Sequence, residues 1–281
     1  VSAFCNAGFD LLGGGTSLIP IAGEPLPNIV IMALITCGGL GFLVWDDILT
    51  NGRHLRRYRL HSKIMLTVTA VLIVGGAAGF YVLERENAFA GASAGDRVLM
   101  SFFQSVTTRT AGFDALNNPG MTGASKLVST VLMFIGAAPG STGGGVKITS
   151  AVVLIMTVFS VMKGEEDTII RKRRIDKSVV YKALAVTALG VLLVILTAGI
   201  LLASSPAVSS VDALFEAVSA FGTAGLTAGV TGTASSFSRI MLIFAMFCGR
   251  VGPVSFALSI SAASGSKSSR QVLPEGTIWV G

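Results

Sequence analysis

Two uncharged stretches, Ile64 to Leu83 and Ala183 to Val211, constrain this chain more than any other feature. Each matches or exceeds the roughly 20 apolar residues that carry a helix across the hydrocarbon core of a bilayer. Two further spans flank them: Pro27 to Trp45, ahead of Asp46 and Asp47, and Leu127 to Val146, between Lys126 and Lys147. With 52% apolar and 13% charged residues and a mean hydropathy of +0.75, most of the surface must meet lipid or protein. The expectation is an all-α integral membrane protein.

The basic residues fall in two short loops. Arg53, Arg56, Arg57, Arg59 and Lys63 occupy one; Lys163, Arg171, Lys172, Arg173, Arg174, Lys177 and Lys182 occupy the other. The positive-inside bias puts both in the cytoplasm, where anionic membrane lipids are their natural contacts. Nothing in their spread resembles a nucleic-acid stripe, so the net charge of +6 sets topology. Cys5, Cys37 and Cys248 sit in apolar segments without metal-ligand spacing, and His54 and His61 lie at the first basic loop, away from any nucleophile. No catalytic constellation and no organic cofactor are expected.

Between the spans, three segments rhyme: Ala3-Phe4-Cys5-Asn6-Ala7-Gly8-Phe9, Thr107-Thr108-Arg109-Thr110-Ala111-Gly112-Phe113 and Ala220-Phe221-Gly222-Thr223-Ala224-Gly225-Leu226. The second and third follow apolar stretches, Asp96 to Thr108 and Val211 to Ala220, too short to cross a bilayer. A short helix, a glycine loop and a long span read as a re-entrant pore helix, loop and exit helix, tolerated at membrane depth only where open backbone faces water or protein. Such a pore helix aims its carbonyl end at the membrane centre and favours cations there. Glycine permits φ > 0 while carbonyls turn inwards, an arrangement suited to dehydrated monovalent ions. The competing reading, small-residue helix contacts, does not account for recurrence at the same place in each unit.

These segments resemble the second, third and fourth filter loops of the Trk/Ktr/HKT superfamily of K⁺ transport proteins, and Gly249-Arg250-Val251-Gly252-Pro253 resembles that family's last exit-helix motif. The ending Pro274-Glu275-Gly276-Thr277-Ile278-Trp279-Val280-Gly281 looks most like membrane subunits of bacterial Ktr systems. The resemblance implies tandem membrane-pore-membrane repeats around a pseudo-fourfold ion pore. It also implies a homodimer, a cytoplasmic nucleotide-binding regulatory ring and residence in the bacterial cytoplasmic membrane. The chain is expected to be a fragment, lacking its first repeat and part of its second.

On that scheme residues 1–50 end repeat 2, 51–63 form a basic loop, and 64–162 form repeat 3 with a gate loop at 136–149. Residues 163–180 are the second basic loop, 181–263 repeat 4 and 264–281 a cytoplasmic tail. Filter carbonyls are expected from Asn6, Ala7, Gly8 and Phe9, from Thr110, Ala111, Gly112 and Phe113, and from Thr223, Ala224, Gly225 and Leu226. The transported ion is K⁺, with Na⁺ the alternative, because the selectivity position of the first loop lies outside this sequence.

Proline and glycines from Gly136 to Gly145 each weaken helix by about 1 to 3 kcal/mol, so the third exit helix should unwind there. The stretch containing Gly140, Ser141, Thr142, Gly143, Gly144, Gly145 and Lys147 resembles the family's intramembrane gate. A phosphate loop is disfavoured, since Val146 separates Gly145 from Lys147. Arg250, an ionisable residue inside a hydrophobic span, needs a watery or compensated site; by resemblance it is a barrier beneath the filter. The resemblance puts Arg109 behind the third loop. Gln104 and Glu216, in the pore helices, are expected to hold the scaffold by hydrogen bonds. A secondary transporter with broken helices and an intramembrane enzyme remain the rival classes.

Overall fold

The computed structural model describes residues 1–11 and 16–252. Pro253, the rest of the stretch assigned to repeat 4 up to residue 263, and the tail at 264–281 lie outside the described residues. The chain begins in the first glycine loop and then forms α1 (Pro25–Gly39) and α2 (Phe42–Asn51). After the first basic loop come α3 (Leu60–Leu83), the short α4 (Ala94–Thr107), α5 (Gly123–Phe134) and α6 (Ile148–Met162). A two-stranded antiparallel hairpin, β1 (Ile169–Ile170) and β2 (Arg173–Arg174), carries the second basic loop. The last unit is α7 (Lys177–Ser204), α8 (Ser210–Gly222), α9 (Val230–Thr233) and α10 (Ser236–Val251).

Among the described residues, α3 and α7 are each long and apolar enough to cross a membrane. Their outward faces keep Val71, Val74, Leu192, Ile195 and Leu196 exposed, as lipid-facing helices do. Each long helix packs against the short helix that follows it, α3 on α4 and α7 on α8, and each short helix also meets the helix that follows the preceding glycine loop, α1 for α4 and α5 for α8. The two units share these contacts. Their short helices even start alike: the Ser93 hydroxyl accepts from Asp96 N and donates to the Asp96 carboxylate, and Ser209 does the same with Asp212. Both caps satisfy amide groups that a helix start leaves orphaned, and the carboxylate favours the positive end of the dipole.

The span expected from Pro27 to Trp45 is not one straight helix. It breaks between α1 and α2, which meet at 98°. The cause is Gly41, at φ 82°, where a Cβ would stand 2.6 Å from Pro139 O. The third exit helix is broken as expected, between α5 and α6. The last described helix, α10, ends at Val251 with Gly252 at φ 93°. Among the described residues, two of the expected exit helices are thus interrupted, between α1 and α2 and between α5 and α6.

Candidate ion-conducting site

The three rhyming loops converge. In each, a left-handed residue, an alanine outside the left-handed region and a left-handed glycine follow one another: Asn6 and Gly8 at φ 50° and 70°, Thr110 and Gly112 at 69° and 80°, Thr223 and Gly225 at 52° and 82°. Alternation of this kind turns successive carbonyls towards one side, as a filter backbone requires. Among the described residues, the carbonyls of Asn6-Ala7-Gly8, Thr110-Ala111-Gly112 and Thr223-Ala224-Gly225 accept no hydrogen bond.

The loops touch in a fixed cyclic order. A Cβ on Gly8 would stand 2.7 Å from Ala111 O, and one on Gly112 would collide with Ala224 O. Gly225, the third in sequence, meets only Gly112 Cα, at 3.8 Å. Asn6 also crosses to the next loop, donating through Nδ2 to Arg109 O (3.5 Å) and Thr110 Oγ1 (3.4 Å).

In two of the motifs the fourth position differs from the first three. Phe113 O accepts the Thr107 hydroxyl at 2.7 Å and Leu226 O accepts the Ser219 hydroxyl at 2.5 Å. Those two carbonyls are each held by a hydroxyl of the short helix behind the loop. The Phe113 and Leu226 side chains are buried, whereas Phe9 is 80% exposed. Sequence reasoning had no signal for this, because the hydroxyls lie six and seven residues upstream.

Behind the loops, Glu216 is buried and accepts from Thr227 Oγ1 (2.9 Å), Ala228 N (2.9 Å), Thr231 N (3.0 Å) and the Thr231 hydroxyl. Gln104, at the corresponding turn of α4, donates to Asn118 Oδ1 at 3.0 Å. Both hold the chain that leaves the loop, as expected. Arg109 is buried, has no acidic partner among the described residues and donates from Nη1 to Thr69 O at 3.5 Å. A buried ion pair missed by pattern, Lys126 Nζ to Asp212 Oδ1 at 2.6 Å, joins α5 to the start of α8, and Lys126 also donates to Pro119 O.

Directly against the loops runs the segment joining α5 to α6. A Cβ on Gly143 would collide with Thr110 Oγ1, and one on Gly144 with Thr223 Oγ1. Glycine is therefore required for closeness here as well as for flexibility. The segment is tied at both sides: Ala138 N donates to Gly39 O (3.1 Å), Thr142 Oγ1 to Phe4 O (3.3 Å), and Gly145 N to Gly249 O (3.2 Å). Gly140 O accepts from Phe42 N at 3.2 Å, at the bend between α1 and α2, and Ser141 N donates to Ala138 O. Two cations hold its carbonyls: Lys147 Nζ donates to Gly143 O at 2.6 Å, and the Arg250 guanidinium donates to Thr142 O.

A family model described as a cation transport protein, TrkH, matches residues 1–271. The chain belongs to the TrkH family. Among curated relatives, this TrkH-family chain is 35% identical over 283 residues to Ktr system potassium uptake protein B of Bacillus subtilis. It is also 35% identical over 285 residues to the potassium/sodium uptake protein NtpJ of Enterococcus hirae. All of this chain is matched in both comparisons, and it spans 62% of each relative. The crystal structure of the potassium transporter TrkH from Vibrio parahaemolyticus superposes with a TM-score of 0.73 at 17% identity, over 92% of this chain and 56% of that one, which shows the shared fold.

Proposed function

We propose that this chain contributes three quadrants of a K⁺ pore that carries ions into a bacterial cell across the cytoplasmic membrane, down their electrochemical gradient. The carrying observation is the ring of three loops whose φ signs alternate alike and whose glycines Gly8 and Gly112 each abut the next loop's alanine carbonyl. Carbonyls of Asn6-Ala7-Gly8, Thr110-Ala111-Gly112 and Thr223-Ala224-Gly225 replace ion hydration, as dehydrated monovalent cations allow and Mg²⁺ does not. No bond is made or broken.

The segment Gly140 to Gly145 is the gate in this reading. Its carbonyls at Thr142 and Gly143 are held by Arg250 and Lys147, so two positive charges stand where an ion leaving the loops must pass. Opening requires those hydrogen bonds to be exchanged for water. A second copy of the protein and a cytoplasmic nucleotide-binding ring complete the assembly; the relative's name, a component of a Ktr system, supports more than one subunit.

Na⁺ conduction alongside K⁺ is the second reading, favoured by the name of the Enterococcus relative. Uptake of K⁺ and Na⁺ by transport-deficient cells producing the full-length protein decides between them. K⁺ accumulation with little Na⁺ supports the first, equal accumulation the second. Absence of both ions from cells with correctly inserted protein would remove the pore assignment altogether.

A further inference from the structure

At the basic face, the first turns of α3, α6 and α7 and the hairpin enclose a cleft of about 290 Å³. Its walls are mostly apolar, with Leu60, Ile64, Val152, Val153, Ile170 and Val179 beside His61 and Thr149. Beside it opens a second recess of about 400 Å³, bounded by Arg174, Asp176 and Lys177. The two share Arg174 and Asp176, so a largely apolar slot leads to a charged rim.

At the rim Arg174 and Lys177 stand with Asp167 and Asp176, two charges of each sign, and the hairpin residues Arg171, Lys172 and Arg173 supply the positive excess. Asp167 is paired with Arg174 Nε at 3.0 Å, and Asp176 caps α7 by accepting from Ser178 N at 2.8 Å. Lys177 forms no ion pair among the described residues, and the Arg174 side chain is 68% exposed. Arg171 and Lys172 make the left-handed hairpin tip alongside. Water gains nothing from the apolar walls, and a free phosphate has no use for them. An acyl chain with an anionic headgroup satisfies both parts.

We propose that this cleft binds one anionic phospholipid, with acyl carbon in the slot between α3, α6 and α7 and the phosphate over Arg174 and Lys177. The bound lipid ties the last two repeats together at their basic ends, next to the α6 helix that leads out of the glycine segment.

Native mass spectrometry of the full-length protein, delipidated and then offered phosphatidylglycerol, phosphatidylcholine of the same chains or glycerol phosphate, tests the site. Phosphatidylglycerol is expected to be retained preferentially. Arg174→Gln with Lys177→Gln should lower its retention roughly 30-fold while leaving phosphatidylcholine unchanged. Val152→Trp, which fills the slot, should displace both lipids, with circular dichroism reporting intact helices for either variant. Equal retention of the two lipids by the wild type, or undiminished phosphatidylglycerol on the charge variant, overturns the proposal. So does glycerol phosphate competing as well as the lipid, or the slot being filled by a protein segment that excludes every lipid.

Discussion

A methyl group on Gly112 would collide with the carbonyl oxygen of Ala224, and its φ of 80° is strained for any L side chain. The backbone term alone costs about 1 to 2 kcal/mol, and the collision moves the very carbonyls proposed as ligands. Gly112→Ser is therefore expected to abolish K⁺ over Na⁺ preference in cellular uptake; preserved preference would sink the ligand assignment. Glu84 sets a different kind of limit. Burial alone would raise its carboxyl, but hydrogen bonds from Ser125, Thr122 and Asn87 outweigh that and hold it below the usual carboxylate range. A depressed carboxylate stabilises the fold above its unfolded value of about 4.5 and loses that contribution as pH falls through the folded value. Unfolding temperature in detergent should thus drop as pH is lowered from about 5 to 3, and Glu84→Gln should flatten that dependence. The glycines of the loops were legible in sequence because only glycine is cheap at φ > 0. The matching left-handed Asn6, Thr110 and Thr223 were not, since nothing about those residue types demands it; the packing of three loops does.

Helices that bend or end at a left-handed glycine are the common device at the level of elements. The interruption between α5 and α6 could be read from residues, because Pro139 and the glycine run announce it. The 98° bend after Gly39 falls at Gly41, beside Gly38 and Gly39 in a run apolar enough to pass as ordinary membrane helix, and α10 ends at Gly252. What selects them is tertiary: Gly38 lies against Phe4 O and Gly249 against Phe221 O, so α1 and α10 each press on the stretch leading into a glycine loop shortly before they bend or end. Gly249→Val should force α10 off α8 and cost at least about 1 to 3 kcal/mol by overpacking, seen as a lowered unfolding temperature. Gly199→Ala on α7, where a Cβ meets nothing within 4 Å, should be neutral or slightly stabilising in the same measurement. For the gate, deleting Ser141 to Gly145 removes the carbonyls that Arg250 and Lys147 hold, and ion flux into vesicles should rise. Unchanged flux from well-inserted protein would mean that the segment is only a linker.

For the whole molecule the cyclic order of contacts matters more than any one of them. Gly8 presses on the second loop and Gly112 on the third, while Gly225 meets only Gly112 Cα, at 3.8 Å. In the proposed arrangement three quadrants present carbonyls on three sides of an axis, and water reaches an ion from the fourth. An ion that keeps part of its hydration shell is no longer discriminated by the carbonyl cage, so size and dehydration cost cease to separate K⁺ from Na⁺. This 281-residue chain reconstituted alone is therefore expected to show no K⁺-selective flux, whereas the full-length protein at equal density should show it. Fluorescent K⁺ and Na⁺ efflux assays on paired vesicle preparations make the comparison. A clear K⁺ preference from the lone chain would mean that copies complete one another's ring, and cross-linking between cysteines placed beside Gly225 and beside Gly8 would then join two chains. Without such cross-links, a selective lone chain would refute the axial arrangement itself, because no other source of the fourth set of carbonyls would remain.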